Sequence, residues 1–195
     1  MKRKPTAYYL INGITLYRVV AAPILLGLLL SGPPTWFKWL IGISFFTDMI
    51  DGVLARYFRV NSALGARLDS IGDDLTVLIA TVGLFLLLPD FFSAQLLWLL
   101  PLVTLFLLQT AFALYRYGKI SSFHTRLAKV AALAQGLFLL SFYFFETIYY
   151  PLFYTAVIVT MIELIEEIIL VFCLKEWSTD VKGLYWVWKK QQPLC

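Results

Sequence analysis

Charge is scarce in this chain. Asp, Glu, Lys and Arg make up 14% of its 195 residues, against 61% hydrophobic residues and a mean hydropathy of +0.80. A water-soluble domain with that balance would expose large apolar patches, so the sequence describes an integral membrane protein. Cysteine is nearly absent as well: Cys173 and Cys195 show neither CxxC spacing nor a C-terminal prenylation box, which leaves structural or incidental thiols. There is no internal repeat, no low-complexity segment and no room for a second domain, so residues 1–195 are read as one membrane domain. No separate basic domain or stripe accompanies the net charge of +4, which excludes a nucleic-acid surface. The opening, MKRKPTAYYLINGITLYRVVAAPILLGLLL, has a basic head and an apolar run. Asn12, Thr15 and Arg18 interrupt that run, however, and no small-x-small cleavage site follows Leu30, so it is not read as a signal peptide.

Long apolar sequence is what the chain has in abundance. Runs at 19–31, 36–50, 75–88, 94–114, 127–145 and 150–172 are separated by charged or proline-marked breaks. Each covers much or all of a hydrocarbon core about 30 Å thick at about 1.5 Å per residue. The expected fold is all-α, with six transmembrane helices and a juxtamembrane N-terminal segment. Orientation follows from the retention of Lys and Arg on the cytoplasmic side. With the N-terminus inside, fifteen of the sixteen basic residues face the cytoplasm and only Lys38 falls outside. The expected location is the bacterial inner membrane, with the tail from Trp177 onward, rich in Trp and Lys, as an interfacial segment.

One stretch departs from this apolar character. TDMIDGVLARYFRVNSALGARLDSIGDD, residues 47–74, carries five aspartates and three arginines at the inner face. With the second and third helices continuous through Asp48–Arg56 and Gly65–Asp73, joined by a short turn near Arg59–Ala63, the spacing becomes informative. Asp48, Asp51, Gly52 and Ala55 stand at i, i+3, i+4 and i+7; Gly65, Asp69 and Asp73 stand at i, i+4 and i+8. Two carboxylates from each helix can then meet across a cleft. Four unpaired charges at the centre of a membrane would cost about 10 kcal/mol on translocon scales, and less near the interface. Divalent cations give such a cluster a purpose. Hard carboxylate oxygens suit Mg²⁺, Mn²⁺ or Ca²⁺, and a carboxylate-bridged pair of ions is suited to clamping a diphosphate during in-line displacement. Gly52 and Gly65 remove the Cβ where a ligand would collide with a helix, and Arg56 can offer its planar fork to phosphate oxygens.

The arrangement Asp48-x2-Asp51-Gly52-x2-Ala55-Arg56-x8-Gly65-x3-Asp69-x3-Asp73 resembles the complete signature of the CDP-alcohol phosphotransferase family, every spacing included. Upstream, Asn12-Gly13-Ile14-Thr15-x2-Arg18-x4-Pro23 is similar to the polar segment that precedes the first helix in many members. The resemblance implies a homodimeric membrane transferase that uses a CDP-linked lipid, normally CDP-diacylglycerol, and a small alcohol. It implies that Asp48, Asp51, Asp69 and Asp73 hold two divalent cations, Mg²⁺ or Mn²⁺ with Ca²⁺ able to stand in, and that Asp73 also accepts the proton of the attacking hydroxyl. Gly52, Ala55 and Gly65 would let the cytidine nucleotide lie against the helices, while Arg56, Ser62, Arg18 and the Asn12–Thr15 segment would contact the CDP part. Bound cations weaken Asp73 as a base, and crowding by Asp74 strengthens it.

For the alcohol, the loop YRYGKISSFHTRLAKV brings Arg116, Lys119, Arg126 and Lys129 to the side of the aspartates, where a phosphorylated acceptor would pair with them. It resembles loosely the same region of phosphatidylglycerophosphate synthases, and glycerol 3-phosphate is the expected acceptor. The cations serve equally as positive-inside anchors. One departure counts against this choice: glycerophosphate-using members often read D-P-x-A-D-K around the last two aspartates, where this chain has Asp69-Ser70-Ile71-Gly72-Asp73-Asp74. Serine, inositol phosphate and phosphatidylglycerol therefore stay open. Glu163, Glu166 and Glu167, at i, i+3 and i+4 in the last apolar run, are expected to pair with Arg or Lys of neighbouring helices, with acceptor binding as the alternative. His124, the single histidine, is read as a solvated loop residue, because a carboxylate already fills the role of base. The rival class is a divalent-cation transporter. Against it, the acids cluster at one end of two helices and Arg56 and Arg67 beside them repel cations. A non-catalytic lipid-binding relative would have lost an aspartate, and none is lost.

Overall fold

The computed structural model describes residues 6–31, 34–57, 63–119, 121, 123, 125–174, 176–178 and 181–191, with side chains left aside at 6–12, 14, 15, 34, 48, 49, 51–57, 63–71, 73, 74, 190 and 191. Among these residues the regular structure is all helical, in eight helices: α1 (Thr6–Ser31), α2 (Pro34–Tyr57), α3 (Ala63–Leu87), α4 (Pro89–Ala94), α5 (Leu96–Tyr117), α6 (Arg126–Phe145), α7 (Tyr150–Cys173) and α8 (Leu184–Gln191). Among the described residues two helices, Leu96–Tyr117 and Arg126–Phe145, are long and apolar enough to cross a membrane, and Leu16–Ser31 and Leu75–Leu87 are shorter apolar stretches.

The chain divides into two compact units, 1–89 and 90–195. In the first, α1 packs against both α2 and α3, which also pack on each other. Ala21, Ala22 and Leu25 of α1, Phe37 and Ile41 of α2, and Ile79, Ala80 and Leu84 of α3 form its buried apolar residues. Hydroxyls buried here are satisfied within their own helices: Ser44 Oγ donates to Leu40 O and Thr76 Oγ1 to Gly72 O, at 3.0 and 2.7 Å. The polar stretch around Asn12, Thr15 and Arg18, expected to precede the first helix, is instead part of α1. A helix closes its backbone hydrogen bonds internally, so polar side chains need not end it.

In the second unit α7 is the hub, packed against α5, α6 and α8. Phe91 and Phe138 meet Phe153 with ring centroids 5.0 and 5.4 Å apart, and Phe112 meets Phe172 at 4.3 Å. The span expected at 94–114 runs from Leu96 to Tyr117, and a separate short helix, α4, occupies what read as a break. Pro89 suits a first helical turn and Asp90 complements the dipole there, which is enough to start a helix that Gln95 then interrupts. Gly118 ends α5 in the left-handed region, at φ 65°, with its N–H on Leu114 O. Thr125 caps α6 by accepting from the N–H of Ala128 at 3.0 Å.

Candidate functional site

The acidic motif lies on two helices of the first unit. Asp48, Asp51, Gly52, Ala55 and Arg56 are in α2, and Gly65, Asp69 and Asp73 are in α3. Both helices run through their part of the motif, since α2 continues to Tyr57 and α3 begins at Ala63. At 3.6 residues per turn, Asp48, Asp51, Gly52 and Ala55 therefore share one register face of α2, and Gly65, Asp69 and Asp73 one register face of α3. Asn12 and Thr15 are in the N-terminal half of α1. Ser62 and His124 lie outside the described residues.

Arg18 is the CDP-lipid candidate whose side chain the structure describes, and it is buried, at 1% exposure. Its surroundings explain a residue that the sequence reading passed over. A Cβ added at Gly72 would stand 3.3 Å from Arg18 Cβ and 3.7 Å from its Cζ and Nε. The absence of a side chain at Gly72 lets α1 lay the arginine along α3, beside the residue that precedes Asp73. The signal was present in the D-P-x-A-D-K pattern, which has a small residue at this same place.

The loop cations expected to bind the acceptor lie in the second unit, and three of them are engaged near the chain's C-terminal part. Arg116 donates to Leu174 O at 3.2 and 3.3 Å and to Phe172 O at 3.4 Å, serving carbonyls at the end of α7. Lys119 Nζ lies 5.0 Å from the ring centroid of Trp177, and the Arg126 guanidinium carbon 4.4 Å from that of Trp186. Lys129 is exposed on α6.

The α7 glutamates have described partners other than the Arg and Lys side chains expected for them. Glu167 Oε2 accepts from Gln109 Nε2 at 2.5 Å and from Ser121 Oγ at 2.8 Å, and Gln109 also hydrogen-bonds Ser121. Glu166 Oε1 accepts from the backbone N–H of Leu184 at 2.9 Å. Glu163 is buried one turn before Glu167. Among the described residues no group of three or more His, Cys, Asp or Glu side chains could hold a metal ion, so these glutamates do not form such a centre.

The model of the CDP-alcohol phosphatidyltransferase family matches residues 8–166, from the first turn of α1 through the aspartate motif to Glu166 in α7. Among curated proteins, the chain is similar to the CDP-diacylglycerol–glycerol-3-phosphate 3-phosphatidyltransferase of Cereibacter sphaeroides, 34% identical over 105 residues that cover 52% of this chain and 45% of that protein. It is also similar to the CDP-diacylglycerol–inositol 3-phosphatidyltransferase of Saccharomyces cerevisiae, 36% identical over 66 residues, or 34% of this chain and 30% of that protein. The chain spans less than half the length of either relative. No solved structure matches it. With its aspartate motif unbroken on α2 and α3 and the family model spanning 8–166, the chain belongs to the CDP-alcohol phosphatidyltransferase family.

Proposed function

We propose that this protein transfers a phosphatidyl group from CDP-diacylglycerol to a small alcohol, glycerol 3-phosphate, releasing CMP as a step in phospholipid synthesis. The observation that carries the reading is the complete aspartate motif in unbroken helical register on two packed helices, α2 and α3. The relatives named for glycerol 3-phosphate and for inositol transfer support the same donor and reaction type.

The donor set fits divalent cations, because the motif supplies only hard carboxylate oxygens, spaced i, i+3 on α2 and i, i+4 on α3. Asp48, Asp51, Asp69 and Asp73 would hold two ions, Mg²⁺ or Mn²⁺, which when bound supply positive charge to the diphosphate and to the departing CMP. The acceptor oxygen attacks the lipid-side phosphorus as the bond from that phosphorus to CMP breaks, and Asp73 takes the hydroxyl proton. Arg18, buried beside the turn that leads into Asp73, adds fixed positive charge where the diphosphate would lie. Asn12, Thr15, Arg56 and Ser62 contact the CDP part, and Gly52, Ala55 and Gly65 leave room for the nucleotide against the helices. Arg116, Lys119, Arg126 and Lys129 receive the acceptor phosphate.

In this reading α1, α2, α3, α5, α6 and α7 are six spans of a single domain covering 1–195. The N-terminus and aspartates face the cytoplasm of a bacterial inner membrane, and the protein works as a homodimer. The distribution of its basic residues supports the sidedness, and the bacterial source of one relative supports the location.

The relative named for inositol transfer favours a second acceptor, inositol or its phosphate. Purified protein in detergent, given CDP-diacylglycerol, Mg²⁺ or Mn²⁺ and one acceptor at a time, separates the cases by CMP release. Glycerol 3-phosphate should support release. Silence with that acceptor and release with serine, inositol, inositol phosphate or phosphatidylglycerol would move the assignment to the active one, and divalent-cation flux in vesicles without any CMP release would replace the enzyme reading with a transporter.

A further inference from the structure

Glu166 and Glu167 lie outside the aspartate motif, yet each anchors one of the two segments that carry the loop cations and their aromatic partners. Glu167 ties down the α5–α6 loop by accepting from Ser121 at 2.8 Å while Gln109 of α5 holds the same oxygen at 2.5 Å. Two residues on, Phe123 is fully buried with Ala113, Leu170 and Val171, and Thr125 caps α6. The loop therefore delivers Arg126 to a fixed place, with its N–H on Lys182 O at 3.5 Å.

Glu166 anchors the other segment. Its Oε1 accepts the N–H of Leu184 at 2.9 Å and fixes the first turn of α8. Gly183, just before, has φ +133°, and a Cβ there would stand 3.0 Å from that oxygen, so glycine is what admits the carboxylate. From this start α8 packs Leu184 and Val187 onto the core and brings Trp186 to Arg126, 4.4 Å from guanidinium carbon to ring centroid. A guanidinium over an indole gains from the ring quadrupole and keeps its in-plane N–H donors for a phosphate. The family match ends at Glu166, so Trp186 and α8 lie beyond it.

We infer that Glu166 and Glu167 are positioning residues for the loop cations, anchoring the C-terminal segment and the α5–α6 loop so that Trp186 holds the Arg126 guanidinium ready for a phosphorylated alcohol. The inference rests on the glycerol 3-phosphate reading above.

The test measures CMP release by the full-length protein in detergent, varying glycerol 3-phosphate and CDP-diacylglycerol in turn, for wild type, Trp186→Ala, Trp186→Phe, Glu166→Ala and Glu166→Gln. Loss of an exposed cation–π contact raises the KM for glycerol 3-phosphate about two- to fivefold in both alanine variants, with kcat and the KM for CDP-diacylglycerol unchanged. Trp186→Phe, which keeps an aromatic face, and Glu166→Gln, which keeps a carbonyl oxygen for the Leu184 N–H, bring the acceptor KM back toward wild type. An unmoved acceptor KM overturns the inference. So does a fall in kcat with both KM values raised, because that is the mark of a merely structural role. If wild type releases no CMP with glycerol 3-phosphate, the acceptor reading itself fails and this inference falls with it, an outcome already visible before any variant is compared.

Discussion

Gly72 controls how closely α1 approaches α3, and a substitution series there sets two energies against each other. Alanine in place of glycine inside a helix gains about 0.8–1.0 kcal/mol of propensity. Opposing that, the new Cβ would meet Arg18 Cβ at 3.3 Å, closer than the optimal carbon separation of about 3.5–4.0 Å, so the arginine stem must yield by a few tenths of an ångström. The two effects nearly offset, and Gly72→Ala should unfold within roughly 2 °C of wild type. Gly72→Leu gains slightly less propensity, and overpacking at about 1–3 kcal/mol outweighs it, leaving a net loss of up to about 2 kcal/mol that at about 2–4 °C per kcal/mol lowers Tm by up to roughly 8 °C. The displaced group is Arg18, beside the turn that leads into Asp73, so CMP release measured well below the transition should fall in Gly72→Leu although the protein is still folded. Thermal scans in detergent with parallel turnover assays make both measurements. A Gly72→Leu protein that unfolds and turns over like wild type would mean that α1 and α3 do not meet at Arg18 and Gly72, and Arg18 would lose its place beside the aspartate turn.

Asp73→Asn should abolish CMP release while leaving nucleotide binding measurable by calorimetry; retained turnover would remove Asp73 as the proton acceptor. Chelation with EDTA should stop the reaction, and Mg²⁺ or Mn²⁺ should restore it, whereas release that persists after exhaustive chelation would remove the cation role of the four aspartates. Gln109→Leu deletes the amide that donates to both Glu167 and Ser121, and should destabilise by about 0.6–1.7 kcal/mol, the range of interhelical hydrogen bonds inside membranes. Unfolding in graded denaturing detergent reads that loss, and stability within error of wild type would mean the Gln109–Ser121–Glu167 cluster does not form.

The aspartate motif was legible because its information is local. Asp48 and Asp51, or Asp69 and Asp73, share a face by register alone, so helical continuity was the single structural condition, and α2 and α3 meet it. Outside that motif helix ends were less legible, for a physical reason visible in α1. Apolar sequence marks where a helix can face lipid, whereas the helix itself continues wherever its backbone bonds can close. Hence α1 starts at Thr6 although the apolar run read from the sequence begins at residue 19. Gly72 was passed over for a related reason. Its role depends on Arg18 of another helix, which the spacing within α3 does not reveal.

The α7 glutamates show where local reading stops. A carboxylate in an apolar helix announces an energetic cost, but the group that offsets it need not be near in sequence: Gln109 lies 58 residues from Glu167 and Ser121 lies 46 away. The expectation of Arg or Lys partners rested on charge alone. In the fold, the described partners of Glu166 and Glu167 are neutral donors, while Lys119 and Arg126 stack on indoles. Neutral donors suit a buried carboxylate because pairing it with a buried ammonium or guanidinium would require desolvating a second charge, a cost of several kcal/mol per ion. Cations left at the surface keep most of their hydration and gain from an aromatic face. These glutamates and loop cations are thus sorted by burial before they are sorted by sign, and burial depends on which helices pack together, which no single span of this sequence reveals.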